Sequence, residues 1–550
     1  MTRIFKRTSG WLGDWRRYSV LVAVLFGLRG VFLLCVLPPF EGWDEYQHLA
    51  YVVHLIETGE PPDLAEGSEV PRSMYPWLVA YPHCRFATDQ LAPIGALSYD
   101  EFWESPRRGE VTEDAAAIPI YQAQHPSLYY RMMTPVVRWF LPDGDVRSLV
   151  AVLRLINVGF GALSVYVAAR LIGVLIVPSA LRYLLGLLIA LQPLYLLNCA
   201  RVASDALAVL LGTAAIGMVL VPSVRHRVLG GAATGAVIGL SIMAKTVNIA
   251  LAPFGIIVAI LSGWRDRVGW KKAAAMVGAM AAGLIVVCGA YFYHNLTTFG
   301  LLTPMQEAVQ NRAAGKTLSD VLAAAQEMDL GDELVRRFYR RSLWTGGWSY
   351  LQPPSAAVRV QEYGFYFASL GFLFALAPTI RKRRGLSVSS GLMLRVFLLC
   401  ALTAAGLCYH MVHTKMLLGS VATNIWYAAV IFPWFLVLYV QGLAYWPVPR
   451  IGVISAVILI ATFLATELRG TLMTMLSTYT GGGSGMVAIR RMAEMHPAWL
   501  GPIVGGVALV GVLMATGLAI GATMTGSSRL DVVHEQDGHR AEDDHRQPRG

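Results

Sequence analysis

The chain has 550 residues, of which 55% are hydrophobic and only 15% charged, and its formal net charge is +10. Apolar runs repeatedly reach the roughly 20 residues needed to cross a bilayer, which excludes a soluble enzyme with a single anchor. The positive charge is not a nucleic-acid signal, because Lys and Arg sit in short loops between apolar runs, where membrane orientation accounts for them.

The first apolar run, 18–37, lacks a small-residue cleavage site after it and reads as a retained helix. Directly behind it comes PPFEGWDEYQHLAY at 38–51. Glu41, Asp44, Glu45 and His48 thus stand at the mouth of a hydrophobic segment, where ionisable groups are expensive unless they work. Asp44 and Glu45 open a short helix. His48 lies one turn beyond both, so the three groups share a face. A carboxylate held at the membrane surface can act as general base toward a sugar or serine hydroxyl; an interfacial helix cap, with acids placed for the dipole, is the alternative.

The same loop ends in YQAQHPSLYY at 121–130. His125-Pro126 fixes the entry to the next helix. Tyr129 and Tyr130 offer rings and hydroxyls at headgroup depth, as aromatic belts do without any further role. The stretch 127–141 carries Arg131 and Arg138 on one helical face and is only about 22 Å long at 1.5 Å per residue. It suits the interface better than the membrane core.

Further apolar runs fall at 148–175, 182–200, 204–221, 228–246, 248–262, 273–293, 361–379, 391–412, 424–445, 451–468 and 499–523, which makes about twelve spans with the first. With 127–141 on the surface, one set of alternate loops holds Arg16/Arg17, Arg170/Arg182, Arg225/Arg227, Arg265/Arg267/Lys271/Lys272, Arg381/Lys382/Arg383/Arg384 and Arg450. The opposite short loops hold little more than Arg201, Lys245 and Lys415. The positive-inside rule then places both termini in the cytoplasm. The expected division is a cytoplasmic N-terminus (1–17), a transmembrane domain (18–525) with outer loops 38–147, 294–360 and 469–498, and a disordered cytoplasmic tail (526–550). His534, His539 and His545 read as solvated tail rather than a metal site. The six cysteines show neither zinc-knuckle spacing nor a disulfide framework.

Three more stretches carry polar or aromatic groups on the outer side. QPLYLLNCARVASD at 192–205 sets Asn198, Arg201 and Asp205 where two spans meet, and an internal Arg–Asp pair accounts for it equally well. YFYHNLTTFG at 291–300 opens the second outer loop with Asn295, a formal glycosylation acceptor pressed against a span. RRSLWTGGWSY at 340–350 follows, with Trp344 and Trp348 flanking Gly346-Gly347; the two rings suit a sugar face or a headgroup anchor.

With PPFEGWDEYQHLAY, QHPSLYY, the polar turn ending in Ser204-Asp205, the HNLTTFG exit and the WTGGW loop, the chain resembles the GT-C superfamily of membrane glycosyltransferases. Within it, the pattern is similar to bacterial relatives of protein O-mannosyltransferases and aminoarabinose transferases, over about residues 20 to 440. The resemblance implies an all-α polytopic membrane core with juxtamembrane helices in the first outer loop. It implies transfer of a sugar from a polyprenyl-phosphate carrier to a glycan or protein acceptor on the outer face of the cytoplasmic membrane, with inversion. It makes Asp44 the base, with Glu45 the fallback and His48 orienting. One departure stands out. Relatives often carry a Gly-Arg-Tyr-like patch before a late span, whereas this chain has TNIWYAAVIFPW at 423–434. The phosphate contact then falls to Arg201, Lys245 or Lys415, the few outer cations, or to Arg29 within the first span; a cation there would stabilise the leaving phosphate.

The candidate substrate contacts are therefore His125, Tyr129, Arg201, Asp205, Lys245, Asn295, Trp344, Trp348 and Lys415. With no DxD motif on the outer face, the expected reaction needs neither a metal nor another cofactor. Two other functions remain open at this stage. A transporter would call for internal repeats and broken helices with polar groups near the membrane midplane. A lipid-pyrophosphate glycan ligase or polymerase would use the same outer acids and aromatics.

Overall fold

The computed structural model describes residues 14–544 apart from 66, 143, 177–179, 226, 267, 330, 332, 334–341 and 376–387, and for 524–544 the backbone alone. The chain is an all-α polytopic membrane protein, and no β-strand occurs among the described residues. Helix α1 (Trp15–Leu34) starts at the Asp14 cap, whose side chain accepts from the Arg16 amide. It leads into a short helix α2 (Glu45–Thr58), the amphipathic α3 (Leu128–Phe140) and the long α4 (Val146–Leu175). There follow α5 (Ala180–Leu191), α6 (Pro193–Cys199), α7 (Asp205–Leu220), α8 (Val228–Ala244), α9 (Leu251–Arg265) and α10 (Trp270–Thr298). The second half adds α11 (Ser355–Phe374), α12 (Ser390–Leu418), α13 (Phe432–Ala444), α14 (Pro449–Arg469) and α15 (Pro502–Asp544).

Among the described residues, each of the twelve apolar runs falls mainly on helix. Among the described residues, eight helices are long and apolar enough to cross a membrane, nine if the bent pair α5–α6 is one span. Helices α7 and α8 are apolar but shorter, and α11 carries Arg359 and Glu362 in its first half. The break between α5 and α6 falls at Gln192-Pro193, because proline supplies no N–H to continue the ladder. Arg29 of α1 repairs that break: it is buried, donates to the Ala190 and Leu191 carbonyls, and pairs with Glu467 of α14. It is thus a structural group and neither snorkels nor faces a phosphate.

Glycines set the closest approach in the bundle. At Gly231 and Gly235 an added Cβ would come within 2.7 and 1.9 Å of the Met276 and Met280 carbonyl oxygens. This four-residue spacing of small residues lets α8 lie directly on the backbone of α10.

Helix α3 is too short to span. It exposes Arg131, Arg138 and Trp139 and buries Tyr129, Tyr130, Met133 and Val137. The rest of 38–147 folds into a cap of short helices, pinned by Val70 N–H to Ile118 O (2.7 Å) and Ile120 N–H to Ser68 O (2.8 Å). Helix α14 does not stop at 468: it passes through a π-helical turn, Gly470–Met475, into Leu476–Tyr479. Helix α15 likewise runs beyond its apolar part to Asp544, where composition predicts a disordered tail. Once a helix is nucleated, each further residue adds one bond, which favours continuation through the polar sequence. The side chains of His534, His539 and His545, and residues 381–384, lie outside what is described.

Candidate active site

The PPFEGWDEY turn brings α1 out of the bundle and into α2. Asp44 caps α2 in the left-handed region, φ 59°, a conformation that non-glycine residues adopt rarely. This aims its carboxyl away from the helix it precedes, and it caps nothing with its side chain. Oδ1 accepts a hydrogen bond from the Tyr121 hydroxyl, while Oδ2 has no partner among the described residues. Burial raises the Asp44 carboxyl above the usual carboxylate range, against the pull of Tyr121, Arg201 and Lys245. A raised pKa makes a stronger base.

Glu45, its neighbour, has a different fate. It is fully buried and ion-paired with Arg154 of α4, with Nε–Oε1 2.8 Å and Nη2–Oε2 2.6 Å. The Val202 amide adds a bond of 2.7 Å to Oε1. Arg154 also holds the Leu37 and Pro38 carbonyls, at 2.6 and 2.7 Å. Glu45 thereby clamps the turn to the bundle. His48 is buried as well, with Nδ1 2.8 Å from the Tyr130 hydroxyl and its ring parallel to that of His125 at 6.1 Å. Burial holds both imidazoles neutral, with His125 lowered to about 3. The His48 amide donates to the Asp44 carbonyl at 3.0 Å, but among the described residues its ring bonds Tyr130 and not the Asp44 carboxyl, so the shared helical face does not become a side-chain dyad.

Behind Asp44 lies a triad that links three elements. Arg201 donates to the Trp43 carbonyl (2.6 Å), Asn198 Oδ1 (2.8 Å) and Asp205 Oδ2 (2.8 Å). Lys245 Nζ reaches Asp205 Oδ1 at 2.7 Å. Arg201 thereby holds the turn, while its Nε is buried without a hydrogen-bond partner among the described residues. Lys245, the residue that ends α8, also lines a cavity of about 410 Å³. Its lining includes the polar groups Gln124, His125, Lys245, His410 and Tyr427 and the apolar Ile249, Pro253, Leu402 and Leu407. The cavity is linked to Asp44 through the 3-10 turn Tyr121–Gln124: Tyr121 holds Asp44 and Gln124 faces the space.

The structure thus gathers Asp44, Arg201, Asp205, Lys245 and His125 into one region, and places other candidates elsewhere. Tyr129 accepts from Asn157 Nδ2 at 2.9 Å inside the packing. Asn295 caps the exit of α10 by donating to the Leu302 carbonyl at 2.9 Å. Lys415 donates to the Gly419 carbonyl, 3.1 Å, at the end of α12 and does not line the cavity. Trp344 and Trp348 are buried rather than displayed; Trp348 lies over Tyr46 at 6.2 Å. Sequence reasoning missed Arg154, Tyr121, Gln124, His410 and Tyr427. Arg154 was visible as a cation inside an apolar run, which calls for a buried partner. The others carry no local signal.

No family model and no curated protein matches the chain. Among solved structures, an oligosaccharyltransferase from Archaeoglobus fulgidus, crystallised with zinc and sulfate, is similar at 12% identity and a TM-score of 0.32. The match covers 86% of this chain and 53% of that one, so the chain spans about half the length of that protein. A likeness this distant assigns neither a substrate nor a residue role.

Proposed function

We propose that this membrane protein is a glycosyltransferase that moves a sugar from a polyprenyl-phosphate carrier to a hydroxyl acceptor on the outer face of the membrane. Asp44 is the base. The observation that supports this most is a tethered carboxyl with a free oxygen, linked to an amphipathic cavity that has one lysine in its lining. Apolar walls suit the first isoprene units, and Lys245 suits a single phosphate. Asp44 takes the proton of the acceptor hydroxyl, the new C–O bond forms, and the phosphate leaves from the opposite face with the bonding electron pair, which inverts the anomeric centre. Lys245 neutralises the leaving phosphate; such charge stabilisation is typically worth about 10²–10³ in rate. Arg201 and Asp205 fix Lys245 and the Trp43–Asp44 backbone. In this reading 127–141 lies in the membrane surface, the acceptor arrives through loop 38–147, and no metal takes part.

The test is transfer of labelled sugar from a prenyl phosphate by the purified chain in the presence of a chelator. Product of inverted configuration supports the reading. Carrier movement across vesicles without transfer would make the protein a transporter, and use of lipid pyrophosphate alone would make it a ligase or polymerase.

A further inference from the structure

Among the described residues, three that are not glycine have positive φ: Phe40 (66°), Asp44 (59°) and Trp348 (53°). Each such residue is strained and persists only where its surroundings over-determine it. All three surround one knot. Phe40 and Asp44 bracket Glu41 in sequence. Glu41 is buried, and its Oε1 accepts from the Tyr479 hydroxyl at 2.7 Å, across 438 residues. That hydroxyl in turn accepts from the Gly347 amide at 3.2 Å, immediately before Trp348. The approach is close: a Cβ on Gly346 would stand 2.7 Å from Met475 Cε and 3.2 Å from the Tyr479 hydroxyl oxygen. The Trp103 indole N–H donates to the Tyr479 carbonyl at 3.0 Å, which fixes the tyrosine from the other side.

The knot reaches Asp44 by two routes. One is the backbone, three residues along from Glu41. The other is Trp348, whose ring lies over Tyr46, two residues beyond Asp44. We propose that Glu41 is a positioning residue for the base: through its bond to Tyr479 it fastens the WTGGW loop and the end of the α14 extension onto the strained turn that aims Asp44. The proposal rests on Asp44 being the base and adds a residue that touches no substrate.

Burial pushes the Glu41 carboxyl up to about 8, against the pull of the Tyr479 hydroxyl, the Gly347 amide and Arg154. The titratable and charged groups facing it are Tyr479, Arg154 of α4, Glu45 of α2 and Cys84 of the cap. An ionised Glu41 would compete with Glu45 for Arg154, which also holds the carbonyls of Leu37 and Pro38. Turnover should therefore fall as pH rises through the Glu41 value. Stability follows the same sign: a carboxyl raised in the folded state weakens folding as pH climbs from its ordinary value through the raised one.

The experiment compares E41Q, E41A and Y479F in the full chain, by kcat and KM for sugar transfer against pH and by amide hydrogen exchange. A base displaced by about 1 Å loses on the order of 10²-fold. E41A and Y479F should lose that much in kcat with donor KM little changed, and exchange should rise at 346–351 and 476–480. E41Q keeps the acceptor for Tyr479, so it should retain kcat at neutral pH and lose the alkaline fall. Normal kcat and unchanged exchange in both E41A and Y479F would overturn the proposal. So would an E41Q as slow as E41A at neutral pH. Y479F, which removes a single oxygen, covers the case in which E41A does not fold. If the wild-type chain transfers no sugar, the reading of Asp44 fails; the exchange data would still report whether Glu41 fastens the loops.

Discussion

Two ionisable groups, one on helix α1 and one in the turn that follows it, are built to different ends. Inside the bundle, Arg29 meets Glu467 and two backbone carbonyls freed by the α5–α6 break, so its bonding capacity is used. Just beyond the helix, Asp44 holds one hydrogen bond from Tyr121 and keeps an oxygen open, on strained backbone linked to a cavity. Complete satisfaction of a buried charge is what architecture requires. An ionisable group left partly unsatisfied is what chemistry requires. The same contrast repeats within two residues: Glu45 is clamped by Arg154 and the Val202 amide, and Asp44 is not.

The comparison breaks most sharply at Asp44 itself. D44N should lower sugar transfer by about 10²–10⁴-fold, the usual contribution of a general base. It should unfold no earlier than the wild-type chain, because burial penalises the charged form that the substitution removes. A D44N protein with full turnover would place Asp44 among the structural charges. The opposite pattern is expected of E467Q and E45Q. Each leaves a buried guanidinium without its counter-charge, and breaking such a pair costs about 3–5 kcal/mol of stability. Thermal unfolding in detergent or nanodiscs measures this. If E45Q folds normally yet is inactive, the base moves to Glu45.

Cations allow a finer cut. K245Q should lower kcat by about 10²–10³-fold, as removal of other charge-stabilising donors does, and K415Q should leave transfer unchanged because Lys415 caps a helix end. Equal losses from both would mean that the cavity is not the phosphate site. The smallest effect is expected at Tyr121. Its hydroxyl lowers the Asp44 value by bonding the carboxylate. Y121F should therefore move the acid limb of the rate profile to higher pH. The limb is an acid one because the base must be deprotonated to act. An unmoved limb would show that Asp44 does not control it.

Much of the fold was legible because membrane insertion is written in runs of sequence. The bilayer requires about 20 apolar residues and an internally bonded backbone, so every span leaves a local trace. The trace blurs where a helix is short, as in α7 and α8, or where polar residues share it, as in α11. The placement of α3 outside the set of spans was readable from Arg131, Arg138 and its length. The course of α14 through a π-helical turn to Tyr479 was not, because nothing in GTLMTM marks a change of ladder.

At the site, the sequence by itself determined that ionisable groups gather behind the first span, and that Asp44 or Glu45 is the carboxylate to examine. It did not separate them, since adjacent acids at a helix start have the same local signal. The tertiary structure gave them different surroundings by bringing Arg154 across 109 residues to Glu45 and Tyr121 across 77 to Asp44. It likewise set Lys245, and not Lys415, in the cavity wall, moved the two tryptophans into the packing, and tied Glu41 to Tyr479. Whether a charge is spent or available depends on partners distant in the chain, and only the packed bundle supplies them.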